Sequence, residues 1–380
     1  MRTSAFIALI IVSLADLSYA DEAADIQAFN EAFSAYKVAM QQSRTDLQID
    51  AALDTLAAGR KLFDPSDLRL PILMANYGIA LFNANQQEES KEVLEEALEL
   101  AEQIHGKKAP ELVHYLAALA DAESELYSAS RQLKYYKRAL KIVAEANGKD
   151  SDEYANLAYR AGRSVYQLSQ SSSGRKYLLE AYELFLSRKG ETALETGLAT
   201  YQLGRLEYSR SKYAKSAEYV LAALPAFEAQ EDPDFQLLAH ALLVQAYEER
   251  GKTDLATEHC VAIGRLSKLR PNQDYQPLFR LAPEYPRELL ISGVEGFVDF
   301  EFTIDKNGFV RDPEVLDLVS TGRPGNSIGR SSFGSRPEDR SFESAALKAL
   351  ERFRYAPRFV DGNAIEVDKV KTRISFAIED

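Results

Sequence analysis

The chain has 380 residues, 46% of them hydrophobic and 27% charged, and a formal net charge of −13. That balance describes a globular protein with room for two or three domains, and its negative charge argues against a phosphate backbone as partner. One cysteine, Cys260, excludes an intrachain disulfide and leaves stability to packing.

Arg2 precedes an apolar run over residues 5–14, and small residues close the segment at "SYA" before the acidic "DEA". This is the pattern of a secretory signal peptide over residues 1–20, cut after Ala20. Asp16 interrupts the run, which falls short of the roughly 20 apolar residues a membrane span needs. The expectation is a soluble periplasmic protein after cleavage.

Residues 21–270 read as helical repeats. Gly78, Ala120, Gly162 and Gly204 are spaced 42 residues apart, and so are Ala97, Ala139, Ala181 and Ala223. A third series, Gly106, Gly148 and Gly190, falls in "HGKKAPE", "NGKDSDE" and "KGETALE", where a left-handed residue can end a helix. In "YQLGRLEYSRSKYAKSAEYVLAAL", Leu203, Leu206, Ala217, Val220 and Ala223 form an apolar stripe at helical spacing, and Tyr208 and Tyr213 flank the turn. A fifth unit, residues 242–266, shortens the period by about two residues, and residues 24–63 are helical but irregular, as a capping pair often is. The pattern resembles the tetratricopeptide repeat in its 42-residue variety. That resemblance implies an α-solenoid whose groove binds a peptide or another protein.

"RPNQDYQPLFRLAPEYP" has four prolines in seventeen residues and predicts an extended linker over 271–283. Beyond it the period changes. Val298, Phe300, Phe302 and Ile304 alternate with Asp299, Glu301 and Thr303, predicting a half-buried strand over 296–304 after a short helix at 286–292. "DKNG" supplies hairpin turn chemistry, and a second strand is expected over 314–319. A Gly- and Ser-rich stretch, 320–341, carries Arg323, Arg330, Arg336 and Arg340 and reads as an insertion. Ser341 then caps a predicted helix with Phe342, Ala345, Ala346, Ala349, Leu350 and Phe353 on one face. In the last predicted strand, 365–378, the apolar positions shift from Ile365 and Val367 to Val370, Ile374, Phe376 and Ile378, which predicts a bulge at Asp368 and Lys369.

The order "PEYP", "GVEGFVDFEFTIDKNGFV", "FESAALKALERFRYAPRFVDGNAI" and a closing strand resembles the C-terminal domain of TonB over residues 284–380. The fold expected for the whole chain is therefore mostly α, a tetratricopeptide-like solenoid, with a C-terminal α+β domain of three antiparallel strands and two helices. The resemblance implies strand addition: an extended segment of an outer-membrane transporter pairs with the last strand. The corresponding positions are Val367, Lys369, Lys371, Arg373, Ser375 and Ala377, with Tyr285 and Pro286 as the Tyr-Pro element. Unpaired edge N–H and C=O groups on a small sheet support the same mode on physical grounds. TonB itself has a membrane helix and a Pro-rich spacer where this chain has a signal segment and helical repeats, so the resemblance stops short of energy transduction by the chain alone. A scaffold for envelope assembly is the alternative.

Catalytic chemistry is thin. His105, His114, His240 and His259 show no metal-ligand spacing, and no Gly-rich phosphate loop follows a strand. Glu-rich stretches such as "EESKEVLEEALELAE" read as solvated helix surface. No catalytic residue, metal or cofactor is expected, and the function class is protein–protein interaction.

Overall fold

A computed structural model describes residues 20–42, 44–123, 129–169, 172–230, 233–267, 275–321 and 337–378. The expected signal segment, apart from Ala20, and most of the Gly- and Ser-rich stretch lie outside the described residues. The chain divides into two compact units between Arg188 and Lys189.

The first unit holds α1 (Ala20–Gln41), α2 (Thr45–Leu62), α3 (Arg69–Asn83), α4 (Gln87–His105), α5 (Val113–Glu123), α6 (Ala129–Ala146), α7 (Asp152–Ser169) and α8 (Ser172–Lys189). The second holds α9 (Leu194–Ser209), α10 (Tyr213–Glu228), α11 (Asp234–Glu248) and α12 (Thr253–Leu266). It continues with α13 (Arg287–Ile291), β1 (Gly296–Ile304), β2 (Val310–Ser320), α14 (Pro337–Leu350), β3 (Arg358–Val360), β4 (Asn363–Ile365) and β5 (Val367–Phe376). Neighbouring helices pair as hairpins, α1 with α2, α3 with α4, α5 with α6, α9 with α10 and α11 with α12. This is the tetratricopeptide-like architecture expected, followed by a small three-stranded antiparallel sheet.

The 42-residue register has a steric cause. A Cβ added at Gly78 would lie 2.7 Å from Leu94 Cγ, and one at Gly162 would lie 2.7 Å from Leu178 Cγ. At Gly204 the obstacle is Val220, which keeps the same register. Glycine at these sites lets the two helices of a hairpin touch; Ala120 holds the equivalent place in its repeat, fully buried. Ala97, Ala139, Ala181 and Ala223 are each 0% exposed. Gly106, Gly148 and Gly190 end their helices at φ of 85°, 90° and 85°. Inside the hairpins the described left-handed turn residues are Asn85, Ser211 and Gly251, so glycine spacing alone reveals only the last of them.

Ion pairs key the helices of the first unit to one another. Fully buried Glu123 receives Lys91 at 3.5 Å and Arg131 at 3.3 Å, joining α4, α5 and α6. Arg160 of α7 meets Asp121 of α5 at 2.5 Å, and Tyr136 of α6 donates to the same carboxylate. A charged group buried without its partners costs several times what a surface pair is worth, so these contacts fix register more than they add stability.

In the second unit the sheet order is β2-β1-β5, all antiparallel. The turn after β1 is as expected: Gly308 has φ of 83° and donates to the Asp305 carbonyl at 2.9 Å. Four boundaries differ from expectation. β2 begins at Val310 rather than 314 and contains Pro313, which an edge strand tolerates because its outward side needs no N–H. Helix α14 starts at Pro337, so Ser341 lies inside it and is not its cap, and Phe353 is buried beyond its end. The last strand is split, with β4 folding onto β3 around Asp361 and Gly362, at φ of 49° and 78°. An Asp-Gly pair is a strong hairpin signal in "RFVDGNAI", and the alternation pattern obscured it. The bulge in β5 is where the sequence places it, with Lys369 at φ of 59° and the register slipping between Phe302 and Ile304.

The described part of the expected linker, 275–283, forms no helix, bends at Leu278 and is fastened rather than free. The Leu278 N–H donates to the Arg354 carbonyl at 2.7 Å, the Arg354 N–H donates to the Phe279 carbonyl at 3.1 Å, and Phe279 is buried against α11 and α12. Within the second compact unit this stretch thus joins the last helical hairpin to the sheet region.

Filling a seam tests the register. Ala139→Leu or Ala181→Leu is expected to destabilise the protein by about 1–3 kcal/mol through overpacking. Ala146→Leu, on the exposed last turn of α6, is expected to leave the denaturation midpoint unchanged.

Candidate functional site

Strands β2 and β5 are the two edges of the sheet, each paired only with β1 among the described strands; β2 carries Pro313, which lacks a backbone N–H, and β5 contains no proline. The inner face of β5, Val370, Ile374 and Phe376, joins Val298, Phe300, Phe302 and Ile304 against Phe342, Ala346, Ala349 and Leu350 of α14. That core fixes one face of the strand, and as an edge strand it keeps one row of backbone groups that no described strand pairs.

The opposite face of the sheet is a ladder of charges. The Arg373 guanidinium donates to both carboxylate oxygens of Asp299 at 2.7 Å and lies 3.7 Å over the Phe297 ring. Lys371 meets Glu301 at 3.5 Å. Asp299 pairs with Arg373, and Glu301 with Lys371, in the β1–β5 register. Opposite charges directly across a strand pair stabilise it modestly. Both long side chains are thereby drawn over β1 and away from the open backbone edge. Among the other predicted edge residues, Val367 opens β5, Lys369 forms its bulge, Ser375 is exposed, and Ala377 lies one residue beyond the strand.

Tyr285 and Pro286 occupy the end of the sheet near Phe376. The Tyr285 hydroxyl donates to the Val294 carbonyl at 2.7 Å, and its ring stands edge-on to Phe342 and Phe376 at 5.9 and 5.5 Å. Pro286 precedes α13 with an extended backbone, φ −61° and ψ 120°. Their visible work is to lock the entry of the chain against the end of β5.

A second constellation was not legible from spacing. Arg354 and Glu248, 106 residues apart, meet at 2.6 Å with both side chains 1% exposed. The same guanidinium donates to Thr257 Oγ1 of α12 at 2.8 Å and to the Asn307 carbonyl in the β1–β2 turn at 3.2 Å, and it lies 3.8 Å over the Phe309 ring. Close backbone approaches surround it: Gly264 of α12 abuts the Pro357 carbonyl and the Phe359 ring, and Gly308 abuts the Tyr355 carbonyl. Cys260 is buried beside this cluster, and burial pushes its thiol up to about 12. In the sequence Arg354 is one of three basic residues in "ERFRYAPR" and reads as surface.

His240 of α11 and His259 of α12 are also brought together, Nδ1 to Nδ1 at 2.9 Å, with Tyr247 stacked on His259 at 5.6 Å. At that distance one ring donates its N–H to the other. Burial lowers both imidazoles, His259 to about 4, with the neighbouring His240 adding to the effect and Glu228 opposing it at His240. Among the described residues no group of three or more His, Cys, Asp or Glu side chains could hold a metal ion.

No family model matches the chain, and no curated protein matches it. Among solved structures, BtubC (BKLC) from P. vanneervenii is similar at 19% identity, covering 69% of this chain and 99% of its own, with a TM-score of 0.48. A putative kinesin light chain from Podosopora anserina, with nearly identical TPR-like repeats, is similar at 11% identity over 56% of this chain and 99% of its own, with a TM-score of 0.46. A Rap protein complexed with competence and sporulation factor is similar at 16% identity over 65% and 76%, with a TM-score of 0.42. The fold class rests on the helix pairing and the 42-residue register rather than on these likenesses, and none of them carries the resemblance to TonB.

Two outcomes are expected. Arg354→Met leaves buried Glu248 with only the half-exposed Arg352, at 3.8 Å, and should cost about 3–5 kcal/mol in chemical denaturation, while adding Glu248→Leu should restore much of the loss. The folded histidine pair binds fewer protons than the same imidazoles in the unfolded chain, so its contribution is full above their ordinary range near 6.5 and is lost as pH falls toward 4. Melting temperature should therefore drop between pH 6.5 and 5 with a shallower slope in His259→Gln than in the wild type.

Proposed function

We propose that the protein is a non-catalytic adaptor: its helical hairpins hold one polypeptide, and the open edge of β5 takes up an extended segment of a second by strand addition. The observation that carries this reading is the edge place of proline-free β5 in the order β2-β1-β5, with one face committed to the core and Lys371 and Arg373 drawn over β1. An unpaired strand edge satisfies its N–H and C=O groups most directly by accepting another strand.

The finer form of the proposal places the protein in the periplasm after removal of residues 1–20 and gives it an outer-membrane TonB-dependent transporter, or a TonB-like complex, as the partner of β5. Its support is the order of motifs over 284–380 and the packing of Tyr285 at the Phe376 end of the strand. The second reading, an envelope-assembly scaffold, is favoured by the Arg354–Glu248 contact, which fits a β-unit serving to close the last helical hairpin.

Hydrogen exchange of the full chain with TonB-box-like extended peptides separates the two. The adaptor reading expects new protection over 367–376, abolished by Arg373→Pro and retained by Lys371→Ala, which leaves the backbone donor in place. Unchanged exchange in β5 at saturating peptide gives the scaffold reading the lead.

A further inference from the structure

We propose that a groove between α6 and α8 in the first unit binds an acidic peptide segment carrying an apolar side chain between carboxylates. The groove has a volume of about 460 Å³. It rests on the second helices of successive repeats and on the turn between α6 and α7. The proposal gives a ligand chemistry to the polypeptide-holding role of the helical hairpins and does not depend on β5.

Charge is the first argument. The chain as a whole has 45 Lys and Arg against 58 Asp and Glu, yet four lysines line this groove, Lys137, Lys141, Lys149 and Lys176, against Glu145 and Glu180. Three elements supply them, so the concentration belongs to the fold and not to one run of sequence. Helix α6 carries Arg131, Lys134, Lys137, Arg138 and Lys141, and its two arginines are already engaged by Glu123 and Glu102. Lys137 and Lys149 meet no carboxylate among the described residues. Lys141–Glu145 and Lys176–Glu180 are loose pairs at 3.7 Å with lysine side chains 72% and 71% exposed, so either lysine is available to a better-placed carboxylate.

Shape and lining supply the second. Leu140, Ala144, Tyr154 and Tyr177 line the groove together with the lysines, so that the lining mixes charged groups with the edges of largely buried apolar and aromatic side chains. The Tyr154 hydroxyl donates to Glu180 at 3.1 Å, which holds that carboxylate against the wall. From Lys137 to Glu145 the helix rises about 12 Å, the reach of three or four extended residues. The lining contains no arginine, whose planar fork is the better match to a phosphate. Lysine point charges beside the edges of Leu140, Tyr154 and Tyr177 fit carboxylates flanking a hydrophobic side chain.

The test is calorimetric titration of the full chain with a short synthetic peptide alternating aspartate and leucine, beside its lysine–leucine counterpart and inorganic phosphate. The proposal expects binding of the acidic peptide alone, weaker in high salt and weakened about ten-fold or more by Lys137→Glu with Lys176→Glu. Lys149→Glu, in a turn outside the helices, repeats the comparison if the double variant does not fold. Absence of binding, equal affinity in the variants, preference for the basic peptide, or full competition by phosphate overturns it. Because β5 is untouched in these variants, the strand-addition result stands or falls separately.

Discussion

The contact on which the C-terminal half depends is the buried pair of Arg354 and Glu248. Two charges at 2.6 Å, each 1% exposed, have given up their hydration, and the arrangement holds only because the guanidinium also reaches Thr257, Asn307 and the face of Phe309. Such a pair adds little net stability over a well-packed apolar replacement. What it imposes is geometry. One side chain fixes α11, α12 and the β1–β2 turn together, while the backbone of the same residue clasps the strand-like stretch at Phe279. The β-unit is thus a closing element for the last hairpin, where a repeat array needs something to cover its terminal apolar surface.

What could be read from the sequence follows from how local each cause is. Gly78, Gly162 and Gly204 announced themselves because a missing Cβ is the whole reason for their place, and the partner helix comes sixteen residues later in each repeat. The alternation from Val298 to Ile304 gave the buried face of β1 for the same reason. The bulge at Lys369 was visible as a shift of apolar parity, and the place of β5 at the sheet edge was expected only from the resemblance to TonB. Arg354 stayed hidden because its partners lie 106 and 97 residues away, and nothing about a basic residue near a helix end marks it as buried. The histidine pair was hidden for the same kind of reason, since residues 240 and 259 meet only when α11 folds back on α12.

The two parts manage charge in opposite ways. In the first unit, Glu123 and Asp121 sit between helices and gather cations from neighbouring repeats, so the charges set how hairpins stack. On the sheet, Asp299 and Glu301 hold Arg373 and Lys371 across the exposed face, where screening leaves little energy but the side chains are still steered. Direction, more than strength, is what those surface pairs supply.

The burial of Cys260 bears on something other than packing. A thiol pushed up to about 12 offers almost no thiolate at neutral pH, and thiolate is the species that attacks disulfides and oxidants. With this as the one cysteine of the chain, the folded protein has no exchange partner to offer a neighbouring disulfide and no bridge of its own to be reduced. Its stability is indifferent to redox poise, and a mixed disulfide with another protein can form only after α12 has come away from the residues around Arg354.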